Sequence, residues 1–158
     1  MATPKTTMNE KKYLDFRRAA RGYAVQILYQ LDAGDEADMK AETLERFWEQ
    51  LDRQEQEKEL KPNPTARKLA ERFVRGVAEN NPELDRLINA CAQNWRVTRM
   101  SFIDRNILRL AAYEIKHCPD IPPKATLNEA IELAKAYGDK DSPRFVNGLL
   151  DNLLRQQD

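Results

Sequence analysis

The sequence has few of the residues that interrupt helices or carry out catalysis. Its 158 residues include only five glycines, two cysteines and one histidine, His117. The glycines are isolated from one another, which excludes a glycine-rich phosphate loop. One histidine and the separated Cys91 and Cys118 provide neither a metal-ligand set nor a nucleophile–base pair. We therefore expect a protein that is not an enzyme and holds no metal or cofactor, with His117 and Cys118 packed at a helix end.

Long apolar segments are also missing. No uninterrupted apolar stretch approaches the roughly 20 residues that cross a bilayer, and residues 1–12 lack the apolar middle of a secretory signal. Two cysteines without Cys-x-x-Cys spacing are typical of a reducing compartment. These features predict a cytoplasmic protein that does not associate with membranes.

Signals for helices are abundant. The chain is 41% hydrophobic and 33% charged, and strong helix formers dominate it. Three pairs predict helix starts with an N-cap followed by proline: Asn63-Pro64, Asn81-Pro82 and Ser142-Pro143. A fourth start is predicted at Thr126, which has capping-box spacing to Glu129.

Between these starts the apolar residues recur at helical spacing. The pattern predicts an all-α fold of six to seven helices in two packed helical bundles. We expect residues 1–9 to be a disordered basic tail and residues 10–156 a single domain, divided into an N-terminal bundle (10–80) and a C-terminal bundle (81–156). The acidic insertion near residues 34–61 is predicted to form a short helix that frays into a mobile loop, because its apolar stripe ends at Leu51.

Charge is distributed unevenly along a chain whose net charge is zero: residues 1–25 carry +4 and residues 32–60 carry −7. On a helix, Arg21 and Arg18 lie about 40° and 100° from Arg17, and Lys11 and Tyr29 both lie near 120°. The apolar stripe of Ala20, Ala24, Ile27 and Leu31 lies between about 280° and 340°. A basic row with an aromatic is a plausible track for single-stranded RNA, although most rows of this kind are simply solvated helix faces.

Four ordered blocks resemble the NusB family of transcription antitermination factors. They are RRAARGYAVQILYQ (17–30), FVRGVAENNPELDRLI (73–88), NWRVTRMSFIDRNILRLAAYEI (94–115) and IPPKATLNEAIELAKAYGDKDSPRFVNGLLDNLL (121–154). The last block contains NEAIELAK and FVNG, the most recognisable pieces. The resemblance covers nearly everything except the N-terminal tail and residues 34–61.

The resemblance implies a NusB-like helical protein that binds boxA, a short single-stranded RNA element, together with NusE, a protein of the small ribosomal subunit. Such a complex joins RNA polymerase and suppresses premature termination, notably in ribosomal RNA operons. Asp104 and Tyr29 match positions on the NusE-facing side. The expected RNA-binding residues are Lys11, Arg17, Arg18, Arg21, Tyr29, Asp141 and Phe145, of which Lys11 comes from the charge pattern alone.

Structural explanations remain open for several of these residues. Asp141 could serve helix-end electrostatics, Phe145 the core of the last helix, and Asp104 a helix cap or an ion pair. Ala19 and Ala20 interrupt the denser arginine run typical of the family, which favours NusE-assisted binding over tight binding by the chain alone.

Two other functions remain as alternatives. The first is a helical protein–protein interaction module or a homodimer that occludes the RNA surface, with Tyr13, Phe16 and Tyr23 supplying an apolar contact. The second is a fragment of a methyltransferase that carries a NusB-like domain, and it is disfavoured because the sequence ends without an α/β cofactor domain.

Overall fold

The computed structural model describes residues 8–34, 41–93 and 95–156, and it describes side chains from Phe16 onward within those ranges. These residues form seven α-helices and one 3₁₀ turn, without a strand among them, which confirms the predicted all-α fold. The helices are α1 (Met8–Ala33), α2 (Ala41–Glu57), α3 (Pro64–Glu79), α4 (Asn81–Cys91), α5 (Phe102–His117), α6 (Pro123–Tyr137) and α7 (Ser142–Gln156), and the 3₁₀ turn spans Val97–Arg99.

Helix α5 packs against α1, α3, α4, α6 and α7. Helix α1 also packs against α2, α3 and α6, and α7 also packs against α4 and α6. The buried apolar side chains form one continuous cluster that includes residues of both predicted bundles. The division at residue 80 falls at the junction of α3 and α4. Helix α1 begins at Met8, two residues before the predicted start of the domain at residue 10.

The predicted helix starts are confirmed only in part. The side chain of Asn63 accepts a hydrogen bond from the backbone N–H of Ala66 at 3.1 Å, as an N-cap does. Asn81 is instead the first residue of α4, and its predicted capping role is wrong. The start predicted at Thr126 is also wrong, because α6 begins three residues earlier, at Pro123. There the hydroxyl of Thr126 donates to Glu114 at 3.2 Å rather than capping a helix.

Within the acidic insertion, α2 continues to Glu57, so the predicted fraying after Leu51 is wrong for the described part. The polar end of α2 is held by Arg67 of α3, which pairs with Asp52 at 2.7 Å and with the buried Glu55 at 3.2 Å. Residues 35–40 of the insertion lie outside the described residues. Residues 1–7 of the predicted tail lie outside them as well.

A glycine sets the distance between α3 and α5. A Cβ built on Gly76 would overlap the ring of Tyr113. That ring stacks on His117 with centroids 5.5 Å apart, and His117 also lies 3.4 Å from Glu83. His117 and the buried Cys118 therefore pack at the end of α5, as predicted.

No helix in the described ranges has both the length and the apolar character needed to cross a membrane.

Candidate nucleic-acid interface

The outward side of α1 carries part of the predicted basic row. Arg18 and Tyr29 are exposed and lie about 16 Å apart along the helix, on nearly the same line. Arg17 is half-buried. Lys11 belongs to the same helix, but its side chain lies outside the described residues, so its predicted role is not placed.

Arg21 does not belong to this outward surface, and its burial argues against the predicted contact with RNA phosphates. Its side chain is 6% exposed, and its guanidinium lies against both carboxylate oxygens of Glu114, with Nη2 2.6 Å from Oε1. Glu114 is itself 1% exposed. The pair therefore joins α1 to α5 inside the protein.

Arg21 is buried because the buried arc of α1 is wider than the predicted apolar stripe. Val25 and Leu28 are buried in addition to the predicted stripe. They stand at about 80° and 20° on the same scale, so Arg21 at about 40° falls between them. Helices α5 and α6 cover this flank, which the pattern of one helix could not reveal.

Arg18 is accessible but paired. Its Nε and Nη2 donate to the two carboxylate oxygens of Glu129 in α6 at 3.0 and 2.9 Å. The arginine side chain is 65% exposed and the glutamate 19%. An anion approaching Arg18 from solvent therefore meets a cation that already has a carboxylate partner.

Tyr29 begins an aromatic surface that continues onto α5. Its ring meets Phe102 edge to face, with centroids 6.0 Å apart and planes at 87°. The guanidinium of Arg105 lies 4.3 Å from the centroid of Phe102. Because Tyr29 and Phe102 are both exposed, the two rings can accept an apolar side chain or a nucleobase.

Arg105 is fixed in turn by Asp32 at the end of α1, through two hydrogen bonds of 2.6 Å each. Partial burial acts to raise the pKa of Asp32, but hydrogen bonds from Arg105 and Asn106 and the charges of Arg105 and Arg109 outweigh it, so the pKa lies below its ordinary value. Asp32 therefore stays ionised and holds the aromatic surface in place.

Three of the predicted site residues, Asp104, Asp141 and Phe145, line one pocket between the start of α5 and the start of α7. Its volume is about 410 Å³ and its lining also includes Asp139, Arg99 and Trp95. We call it the acidic pocket. Ser101, which precedes Phe102 in the chain, is also part of the lining.

Asp104 has an unusual environment in this pocket. The hydroxyl of Ser101 caps α5 by accepting from the backbone N–H of Asp104 at 3.1 Å, so the side chain of Asp104 is not needed as a cap. Its Oδ1 is buried and has no hydrogen-bond partner among the described residues. Such an atom is costly to leave unsatisfied, and a donor from a binding partner would relieve that cost.

Asp141 and Phe145 are held by the turn that leads into α7. The backbone N–H groups of Asp141 and Ser142 donate to Asp139 Oδ1 at 2.8 and 3.1 Å. Asp141 remains exposed, and Phe145 is half-buried against the core. One edge of Phe145 can therefore serve packing while another faces the pocket.

Sequence analysis missed two residues of this surface. Trp95 and Phe102 were given no functional role, and they are 55% and 40% exposed. Trp95 lies beyond the end of α4, outside any helical stripe, and this position could have indicated its exposure. Phe102 has no comparable signal in its sequence position, since its exposure follows from the packing of α5 beside α1.

Comparison with known proteins adds a family and a fold. The model of the NusB family matches residues 18–155. The "Transcription antitermination protein NusB" of Myxococcus xanthus is 45% identical over 137 residues, which cover 87% of this chain and 93% of that protein.

Solved structures show the same arrangement of helices. NusB of T. maritima superposes with a TM-score of 0.73 at 34% identity, covering 99% of this chain and 94% of the other. A structure described as antitermination factors NusB and NusE in complex with dsRNA has a TM-score of 0.72 at 24% identity, with coverage of 90% and 98%. At that identity the second likeness establishes the fold alone.

Proposed function

Since the chain belongs to the NusB family, we propose that it is a transcription antitermination factor that binds boxA-type single-stranded RNA together with NusE. In this role it acts in the cytoplasm, joins the antitermination complex on RNA polymerase and promotes transcription of ribosomal RNA operons. It works by binding rather than by catalysis. The observation that carries the proposal is the acidic pocket, where Asp104, Asp141 and Phe145 meet, together with the exposed ring pair of Tyr29 and Phe102.

Single-stranded RNA is a suitable ligand because its bases are free to stack. Proteins bind such strands with aromatic rings that stack on bases and with cations that contact phosphates. Tyr29, Phe102 and Phe145 supply rings, and Arg18 supplies an exposed cation. Asp141 can accept a hydrogen bond from the edge of a base.

A protein partner explains the unsatisfied carboxylate oxygen of Asp104. The unsatisfied Oδ1 of Asp104 calls for a hydrogen-bond donor, and a lysine or arginine of NusE would supply one with opposite charge. Tyr29 and Phe102 offer the adjoining apolar contact. We assign Asp104 and Tyr29 to the partner and Arg18, Asp141 and Phe145 to RNA, with Tyr29 near both.

The two halves of the chain have different tasks in this proposal. The N-terminal bundle, residues 10–80, contributes α1 with Arg18 and Tyr29. The C-terminal bundle, residues 81–156, contributes the acidic pocket. RNA that contacts both would bridge them.

The test is to measure the affinity for a boxA RNA with and without NusE in four variants. R18E should weaken RNA binding about tenfold in both conditions, because it replaces an attractive charge with a repulsive one. F145A should weaken RNA binding by removing a ring. D104N should leave binding of RNA alone unchanged and reduce the gain that NusE provides. The control is R53E, with the same charge change on an exposed arginine of α2.

Absence of RNA binding by the unaltered chain, with and without NusE, would refute the proposal. Equal losses in R18E and R53E would mean that overall charge, rather than this surface, governs affinity.

The homodimer remains the second candidate. Of the three residues expected to form its contact, Tyr23 packs within the chain against Phe47 and Trp48, at centroid distances of 6.3 and 5.7 Å. Tyr13 lies outside the described side chains. Light scattering over a range of protein concentrations decides this candidate, because a mass that stays at 18.4 kDa would exclude it.

A further inference from the structure

A second groove lies on the other side of Trp95 and Phe145 from the acidic pocket. It has a volume of about 520 Å³, in the range of small-ligand sites, and runs between the end of α4 and the outer face of α7. None of the residues predicted for RNA or NusE binding lines it except Phe145. We call it the α7 groove; its lining includes Cys91, Trp95, Arg144, Gly148, Asn152 and Arg155.

The floor of the α7 groove is open because of Gly148. This glycine lies in the interior of a helix, where glycine costs up to about 1 kcal/mol relative to alanine. A Cβ placed on Gly148 would meet nothing within 4 Å. Internal packing therefore does not require a glycine here, whereas a ligand that approaches the backbone of α7 would.

Trp95 forms one wall with an accessible indole. The other tryptophan, Trp48, is half-buried and donates its Nε1–H to Glu71 at 2.8 Å. Trp95 is 55% exposed, which is unusual for so large an apolar ring. Exposed aromatic faces beside cations are platforms on which unpaired bases stack.

The groove is preformed and carries positive charge. The side-chain amide of Asn152 donates to the carbonyl of Cys91 at 3.0 Å, which ties α7 to the end of α4. Arg144 and Arg155 face a single acid, Asp151, which pairs with Arg155 at 3.0 Å. The acidic pocket, by contrast, has three aspartates and one arginine. The shared wall of Trp95 and Phe145 thus separates a positive groove from a negative pocket.

We propose that the α7 groove holds one further unpaired nucleotide of the RNA strand, next to the nucleotide at Phe145. Its base stacks on Trp95 above Gly148, and its phosphate lies against Arg144. This inference rests on the proposed function and adds a subsite to it. The charge of the groove favours the anionic RNA over the partner protein, for which the acidic pocket is the complementary surface.

The experiment measures affinity for a boxA RNA that is lengthened by one nucleotide at a time, at the 5′ end in one series and at the 3′ end in another. For the unaltered chain, one series should show a step of about fivefold or more, the lower end of the range for stacking one base on an aromatic ring. G148L should lose that step and still bind the shortest RNA, and W95A should lose the step as well.

The leucine variant has a matched control. N147L places the same exposed leucine on the neighbouring residue of α7, outside the groove lining, and should retain the step. Thermal unfolding of G148L should show a midpoint no lower than that of the unaltered chain, because leucine is the better helix former and the added side chain meets open space.

Three outcomes would overturn the inference. If the shortest RNA binds and neither series shows a step, or if the step survives in both W95A and G148L, the groove is not a nucleotide subsite. If G148L weakens only the gain from NusE, the groove belongs to the partner protein. If no RNA binds at all, the proposed function fails, and the inference fails with it.

Discussion

Three arginines within five residues of α1 have three different environments. Arg17 is half-buried, Arg18 is exposed with Glu129 as its partner, and Arg21 is enclosed with Glu114. The chemistry of the side chain is the same in each case. What differs is which helix lies opposite, and this decides whether the charge faces solvent or another charge.

Replacing the partner of Arg18 should strengthen RNA binding. In E129Q the cation no longer has the Glu129 carboxylate to leave, so we expect affinity for boxA RNA to rise about twofold to fivefold, in line with the small free energy of exposed pairs. Affinity at constant ionic strength is the measurement. E132Q has the same change of charge on the same helix, where Glu132 pairs with Lys135. An equal rise in E132Q would show that net charge, not the pair with Arg18, limits binding.

Breaking the buried pair should destabilise the fold. R21M leaves the carboxylate of Glu114 without its cation in the interior, and losing one member of a buried pair typically costs about 3–5 kcal/mol. Urea unfolding measures this change. The double variant R21M/E114L removes both charges and should recover much of the loss. R155M, which breaks an exposed pair with Asp151, should change the free energy of unfolding by less than about 1 kcal/mol.

At the scale of elements, the end of α1 is joined to α5 by ionic contacts around Asp32. Its carboxylate accepts from Arg105 at 2.6 Å, from Asn106 at 2.9 Å and from Arg109 at 3.1 Å. Arg109 also reaches Asp85 of α4 at 2.8 Å. The carboxylates of Asp32 and Asp85 therefore connect three helices through Arg109, and Arg105 links this junction to the ring of Phe102.

This junction predicts a loss of stability in acid. The pKa of Asp32 is lower in the folded protein than its ordinary value of 3.8. The contribution of Asp32 to the free energy of unfolding is then complete above the ordinary pKa. It disappears as the pH falls from that value through the lower folded pKa. We expect the free energy of unfolding, measured in urea from pH 6 to pH 3, to fall more steeply below pH 4 for the unaltered chain than for D32N. Parallel curves for the two proteins would contradict this.

For the whole molecule, a net charge of zero conceals a basic first segment and an acidic second one. A protein of this kind does not attract nucleic acid at long range, and its binding depends on a few local phosphate contacts. Aromatic stacking and the partner protein must then supply most of the affinity. The interrupted arginine run and the burial of Arg21 both reduce the ionic contribution further.

The dependence of RNA binding on salt should accordingly be shallow. With two or three phosphate contacts, the slope of log K against log salt concentration should be about −2, at roughly −0.7 for each contact on a single strand. R18A should reduce the magnitude of the slope by about 0.7. Binding measured at four or more salt concentrations gives both numbers. A slope steeper than about −5 would mean that a much larger basic surface takes part.

The helices themselves could be predicted from the sequence because their causes are local. The cap at Asn63 acts within one turn, and stripes such as Val146, Leu149, Leu150 and Leu153 follow from the helical repeat and are buried as expected. The predictions at Thr126 and in the second half of α2 were wrong because residues distant in the chain determine the local structure there. Glu114 and Arg67 hold these segments from elsewhere in the fold.

The sequence by itself determined that the chain is helical and that α1 carries cations and a tyrosine on one side. Only the tertiary structure decided which of those cations remain accessible, since that depends on the helices packed on its flank. It also brought Asp104, Asp141 and Phe145 to one pocket and left Trp95 exposed beside them. Periodicity describes one helix at a time, whereas burial and proximity arise between helices that are distant in the chain.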